Sequence, residues 1–251
     1  MSRYRVYALC YARRVGRRGQ HFCGYDEHWD EPHPTAYYVW LAVSDEHTVV
    51  IDTGIGPSRA GGFEEYVPPT DLLAEFGVPA EVVDRVVLTH LHYDHTGTAG
   101  SFPSARYVLQ RSEVDYWTGP WASRISREQW LLDKEDLDAV LGSGRLDLIE
   151  GDVEVLPGLS VHLVGGHTAG MQVVRVATAR GQVVVASDAS HFYENIEGDR
   201  PFPILHSMPG MYAAFDRINA LADDPSLIVA GHDPEVLRRF PAETDRIARI
   251  A

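Results

Sequence analysis

The stretch Thr89-His90-Leu91-His92-Tyr93-Asp94-His95-Thr96-Gly97 places three histidines and an aspartate within six positions. Neutral imidazoles with a carboxylate form the donor set that zinc and similar borderline metals take. Two positions apart at a strand end or tight turn, His90 and His92 can project to one side. Asp94 and His95 fall on the following turn and can face a second centre. One catalytic metal needs about three protein ligands and a pair needs about six or seven, so further ligands must come from distant parts of the chain. Three candidates are each the first strong ligand after an apolar run: His167 in Gly165-Gly166-His167-Thr168, Asp188 after the run 182–187, and His232 in Ala230-Gly231-His232-Asp233. A single aspartate at a strand end is ordinarily a turn residue or a cap. Three such stations following a dense cluster are hard to attribute to chance.

The elements that must position these groups are legible as alternating strand and helix signals. Strand-like runs rich in Val and Tyr and bounded by Gly, Asp or Pro occupy 4–11, 35–43, 47–52, 85–89, 105–110, 159–165, 171–178, 182–187 and 226–231. Helical periodicity is read at 70–77, 79–84, 111–117, 133–141, 209–222 and 241–250. Met211, Phe215, Ile218 and Leu221 recur at the spacing of a core-facing helix. Early strands neighbour one another as hairpins, with Asp45-Glu46 as one turn, and later ones alternate with helices. This predicts two sheets packed face to face with helices outside, in one domain spanning 1–251. The segments 117–132 and 190–210 read as long loops, which in compact domains tend to be functional.

Composition limits the partners. The 251 residues are 45% hydrophobic and 23% charged, with a formal net charge of −14. A nucleic-acid groove needs a basic stripe and an anionic membrane surface needs basic clusters, so both are excluded. No window reaches the roughly 18 apolar residues of a membrane span, and the apolar run near Val6 to Leu9 is too short for a secretory signal. Cys10 and Cys23 are the two cysteines, which suits a reducing, cytoplasmic location.

His-x-His-x-Asp-His at 90–95, then Gly-His-Thr at 166–168, Ser-Asp at 187–188 and Gly-His at 231–232 resemble, in that order, the metallo-β-lactamase superfamily. Val49-Val50-Ile51-Asp52-Thr53-Gly54 matches the strand and turn of that family, and the resemblance spans 37–233. It implies an α/β fold, an αββα sandwich of two mixed β-sheets flanked by helices, with the site at the edge between two similar halves. It also implies two Zn2+ ions, or Fe, Mn or Co in their place. One would be held by His90, His92 and His167, the other by Asp94, His95 and His232, with Asp188 bridging. Asp52 is not a ligand in the pattern; it either orients a ligand histidine or is a strand-end turn residue.

A pair of divalent ions lowers the pKa of a shared water and polarises a carbonyl, which makes hydrolysis the expected reaction, with Asp94 or Asp188 passing a proton to the leaving group. The chain length, Asp94 and the Asp188-Ala189-Ser190 sequence are most similar to acyl-homoserine lactonases, so the expected partner is a small lactone. Those lactonases carry a tyrosine three residues after the bridging aspartate. This chain has His191 there, with Tyr193 two further on, and either is a candidate donor to the substrate carbonyl or an ordinary loop residue. The segment 23–34 is either a wall over the metals or a surface loop. Trp117, Trp121 and Trp130 would line an acyl pocket, seal a homodimer or sit in the core. The rival readings are a thioester hydrolase of the glyoxalase II type, whose usual C-terminal helical domain has no counterpart after His232, and a non-hydrolytic metal-binding or biosynthetic member of the superfamily.

Overall fold

A computed structural model describes residues 3–251. Along the chain run β1 (Arg5–Arg17), β2 (Pro32–Val43), β3 (Thr48–Ile51), α1 (Pro69–Glu75), β4 (Arg85–Val87), α2 (Tyr93–Thr96), β5 (Arg106–Gln110), α3 (Arg111–Thr118) and α4 (Lys134–Gly142). The second half contributes β6 (Leu146–Ile149), β7 (Val153–Leu156), β8 (Leu159–Leu163), β9 (Gln172–Thr178), β10 (Gly181–Ser187), α5 (Tyr193–Glu197), α6 (Met208–Leu221), β11 (Ile228–Ala230), α7 (Val236–Arg239) and β12 (Ile247–Arg249). One sheet has the order β12-β1-β2-β3-β4-β5-β6 and the other β11-β10-β9-β8-β7. Both mix parallel and antiparallel pairs, as β2–β3 is antiparallel while β3–β4 and β10–β11 are parallel.

The layering follows from the two-residue period of a strand, which sends successive side chains to opposite faces. On β1, Val6, Ala8 and Cys10 face the second sheet, while Tyr7, Leu9 and Tyr11 face the helical layer. On β10, Val183 and Val185 point into the space between the sheets, and Val184 and Ala186 meet Ile218 and Leu221 of α6. Because both faces of these strands are covered, their sequences read as continuous apolar runs, which is why the central strands were the easiest to foresee. The inter-sheet core is anchored by Trp40 and Tyr38, both essentially solvent-free. Truncating Trp40 to alanine would cost about 3–5 kcal/mol, the usual penalty for a large aromatic in a close-packed core. No helix among the described residues is long and apolar enough to cross a membrane.

Three expectations need correction. Residues 241–250 were expected as a helix, but Tyr7, Ala8 and Leu9 of β1 pair with β12 in an antiparallel ladder. The open edge of β1 offers hydrogen bonds that a short helix could not better, and a turn at Thr244, whose hydroxyl accepts from the Arg246 and Ile247 amides, feeds the strand. β6 and β7 were missed because each has four residues with an acidic residue among them. The long segment 190–210 contains α5 near its start.

Asp136 on α4 provides a pH-dependent marker of the helix–site contact. Burial, reinforced by the nearby Asp133 carboxylate, pushes its pKa up to about 6, although Thr96 Oγ1 donates to it at 3.4 Å. A carboxylate raised above its unfolded value binds more protons in the fold, so stability falls as pH rises from about 4 through about 6. Asp136→Asn is therefore expected to raise the unfolding free energy by about 1 kcal/mol at pH 7.5, after discounting for partial exposure, and to change little at pH 4. Denaturant titrations at the two pH values check this.

Candidate metal centre

Every member of the candidate site lies at a strand end or in the turn that follows. His90 and His92 leave β4 over the sheet, and α2 then carries Asp94 and His95. The loop after β8 brings His167, β10 ends at Ser187 just before Asp188, and β11 ends two residues before His232. Two local features make the turns tight. Gly97 packs against the 54–56 turn, where a Cβ would come within 2.0 Å of the Gly56 nitrogen. Ser187 adopts a positive φ of 45°, a strained conformation for a side-chain-bearing residue that turns the chain to present Asp188.

The seven side chains converge around the Asp188 carboxylate. Its Oδ2 lies 3.9 Å from His90 Nε2 and 3.4 Å from His167 Nε2, and His167 Nε2 is 3.0 Å from His92 Nδ1. Its Oδ1 lies 3.3 Å from His95 Nε2 and 2.9 Å from His232 Nε2, and Asp94 Oδ2 sits 3.8 and 3.9 Å from those two nitrogens. Three overlapping groups able to hold a metal result, one of His90, His92, His167 and Asp188, one of Asp94, His95 and His232, and one of Asp188, His191 and His232. All are buried except Asp94, whose side chain keeps 14% of its exposure.

The donor chemistry fits divalent ions. His90 Nε2 and His95 Nε2 are fully buried without a hydrogen-bond partner, a cost that a metal ion at the centre would remove. The outward ring nitrogens are fixed by hydrogen bonds. His167 Nδ1 donates to the Ile204 carbonyl at 2.7 Å and His232 Nδ1 to that of Ala36 at 3.0 Å, leaving their Nε2 lone pairs turned inward. His95 Nδ1 meets Asp52 Oδ2 at 2.8 Å. Asp52, itself at a positive φ of 58°, also accepts from the Thr89 amide and hydroxyl and from Ser187 Oγ, tying the ends of β3, β4 and β10 together. It is an orienting group rather than a simple turn residue.

The electrostatics point the same way. Burial, together with the neighbouring imidazoles, holds His90 and His92 well below the ordinary histidine range, and burial brings His167 down to about 3. Burial works against protonation of His95 and His232 too, but the Asp188 and Asp94 carboxylates outweigh it and raise both. For Asp188, burial opposes ionisation and the His232 and His95 rings overcome it, so its carboxyl stays ionised. His90, His92 and His167 are thus favoured as neutral donors, while His95 and His232 sit where positive charge is favoured beside the ionised Asp188 carboxylate.

Above the cluster opens a cavity of about 350 Å3, lined also by Arg14, Gln20, His21, Thr35, Tyr37, Tyr93, Trp130, Leu131 and Ile204. His191 lies in this wall, but its Nε2 is committed to Asp188 Oδ2 at 2.9 Å and its ring stacks on Phe202 at 3.5 Å. Tyr193, expected as an alternative donor, is placed elsewhere. It opens α5, its amide donates to Asp233 Oδ2, and its ring packs into the inter-sheet core beneath the Arg239 guanidinium. A two-residue advance across a helix start turns the side chain to the far side of Phe192. The segment 23–34 is largely a surface loop, fastened where Asp26 pairs with Arg18 and Arg200. The three tryptophans divide: Trp117 is buried with its ring edge-on to His92, Trp130 lines the cavity, and Trp121 is exposed.

One residue of the site was missed. Glu113 on α3 is wholly buried, accepting from the Leu91 amide at 3.1 Å, the Gly170 amide at 2.7 Å and Trp117 Nε1 at 2.8 Å. It clamps the loop carrying His90 and His92 to the loop carrying His167. A lone glutamate in an amphipathic helix carries no spacing signal, so nothing in the sequence marked it.

The fold and this centre define the class. The family model of the metallo-beta-lactamase superfamily matches residues 32–232, and the chain belongs to that superfamily. Within it, an N-acyl homoserine lactonase of Bacillus cereus is 26% identical over 215 residues, covering 79% of this chain and 81% of that protein. The structure of an N-acyl homoserine lactone hydrolase with the product N-hexanoyl-L-homoserine bound at the catalytic metal center aligns with a TM-score of 0.80 at 21% identity, over 97% of this chain and 98% of the other. A dizinc quorum-quenching lactonase in complex with a product aligns with a TM-score of 0.74 at 16% identity, over 99% and 97% of the two chains. At these identities the structural likeness bears on the fold.

Proposed function

We propose that the protein is a dinuclear zinc hydrolase that opens lactones, with N-acyl-homoserine lactones as the reference substrates. The observation that carries the reading is the placement of Asp188 between two sets of buried, inward-facing donors, at the floor of a cavity large enough for a small acyl compound. His90, His92 and His167 would hold one ion, Asp94, His95 and His232 the other, and Asp188 would bridge them. Bound there, the ions would polarise the substrate carbonyl and lower the pKa of a water.

The remaining steps belong to the chain. Asp94 and Asp188 both line the cavity and Asp94 is the more exposed of the two, so Asp94 Oδ2 would take the proton released by the attacking water and pass it to the alkoxide freed as the ring C–O bond breaks. Ile204, Leu131 and Trp130 supply the apolar surface that excludes bulk water from the acyl group. His191, fixed by Phe202, donates Nε2–H to Asp188 and positions that carboxylate. The free thiols of Cys10 and Cys23 suit the reducing cytoplasm as the place of action.

A panel of N-hexanoyl-homoserine lactone, simple lactones, thioesters, β-lactams and phosphodiesters tests the assignment. Lactone turnover is expected to vanish on exhaustive chelation and to return with about two equivalents of zinc per chain. Thioester turnover without lactone turnover would replace this reading with the thioester hydrolase.

A further inference from the structure

Arg14 stands apart from the other arginines between residues 13 and 18. Arg13 pairs with Glu65, Arg17 with Asp30, and Arg18 with Asp26 and Glu194. Arg14 makes no ion pair and no side-chain hydrogen bond among the described residues, although acids outnumber bases 36 to 22 in the chain. The strand period explains its direction: Arg13 turns toward Glu65, and Arg14 turns to the opposite face. There its cross-strand partner Thr35 and its i+2 neighbour Gly16 line the metal-site cavity with it.

Outside the metal-binding cluster, Arg14 is, among the described residues, the sole formally charged side chain in the wall of that cavity. A second recess of about 530 Å3 shares Arg14, Tyr93 and Trp130 with it and continues over Arg59. Arg59 is held in place by the Trp130 carbonyl at 2.7 Å and lies 4.0 Å over the Tyr93 ring, with Asp133 at 3.7 Å as a loose partner. The recess itself has no carboxylate in its lining. Arg14 also borders a third recess that carries Glu64 and Asp245, so on a protein of net charge −14 the reversal of sign is confined to the groove that leads from the catalytic floor past Arg14 and Arg59, and such a stretch selects anions.

We propose that the groove selects substrates bearing an anionic group, such as a carboxylate, at the end of the acyl chain remote from the scissile ester, with Arg14 as the group that binds it. This rests on the lactonase reading for the bond that is broken, but the charge preference is a separate property of the groove. Arg14 supplies the forked donor set that a carboxylate accepts, and Arg59 adds to the field from the far side of Tyr93. The amide or methylene part of the acyl chain lies along Tyr93 and Trp130.

The test compares two lactones of matched length on the zinc-loaded protein: N-hexanoyl-homoserine lactone and its analogue with a carboxylate at the end of the acyl chain. The carboxylate lactone is expected to have a kcat/KM about ten-fold higher, through a lower KM, the size of one charge-assisted hydrogen bond. That ratio should shrink as salt is raised from 20 to 500 mM. Arg14→Met is expected to bring the ratio to about one, Arg14→Lys to keep part of it, and Arg14→Glu to invert it. Equal kcat/KM values in the unaltered protein, or a ratio indifferent to Arg14→Met, would overturn the proposal. If neither lactone is turned over, the lactonase reading fails but the charge preference is still decided. Calorimetric binding of the two opened hydroxy acids to the zinc-loaded protein should then favour the dicarboxylate, and equal affinities would sink the idea.

Discussion

Asp188→Asn is expected to lower kcat/KM on the best lactone by at least about 10^3-fold, a loss above 4 kcal/mol, and to leave the purified protein with no more than about one zinc per chain. The carboxylate serves two sides at once, with Oδ2 turned to His90 and His167 and Oδ1 to His95 and His232. An amide has one acceptor oxygen, and its NH2 must face one of the two imidazole sets. Whichever set meets the NH2 loses its shared ligand, and the negative charge that offsets two dications is gone from the centre. Far-ultraviolet circular dichroism, beside elemental analysis and steady-state kinetics, separates this from unfolding. Two zinc ions per chain with near-normal turnover in the variant would remove Asp188 from the bridging role.

Glu113→Ala is expected to destabilise the protein by about 3 kcal/mol and to weaken metal binding by about ten- to a hundred-fold. Three donors, the Leu91 and Gly170 amides and the Trp117 indole, lose their acceptor in a space that water does not reach. The penalty is less than three lost charged hydrogen bonds would suggest, because burial already raises the Glu113 pKa and the fold bears the cost of keeping that carboxylate dry. Glu113→Gln preserves the volume and one acceptor, so it should recover part of both effects. Denaturant unfolding of the metal-free protein reads the stability term, and competition with a chromophoric chelator reads the affinity. An alanine variant with unchanged affinity would show that the two ligand loops hold their positions without the clamp.

How much of this was legible beforehand depended on how tightly chemistry restricts residue type. His90, His92, Asp94, His95, His167, Asp188 and His232 are among the few side chains that bind metals, each near the end of an apolar run, so their convergence could be anticipated from order and position. Asp52 was legible only as one of two alternatives, since its four donors come from three residues far apart in sequence from it, Thr89 after β4, His95 on α2 and Ser187 at the end of β10. Glu113 and Gln172, which reaches across the sheets to the Leu88 carbonyl at 2.8 Å, were invisible because their partners are backbone groups that any residue supplies. The double-sheet fold followed from its apolar strands, while β12 did not, because an edge ladder is decided by the neighbour it finds. Whether His191 or Tyr193 faces the cavity was left open for a related reason: sequence distance from Asp188 says nothing about which way a helix start turns.

Asp52 and its donors also have a mechanical meaning. The ligands arrive from both sheets, His90, His92, Asp94 and His95 from the end of the larger one and His167, Asp188 and His232 from the smaller. A metal pair held among them is a rivet through the seam of the sandwich, and its removal should loosen the molecule along that seam before either sheet comes apart. The metal-free state would then keep the apolar core between the sheets and the Asp52 knot at the strand ends, and lose order at the ligand loops. Its first amides to exchange with solvent would be those of the 88–97 and 164–170 loops, well ahead of the strands behind them.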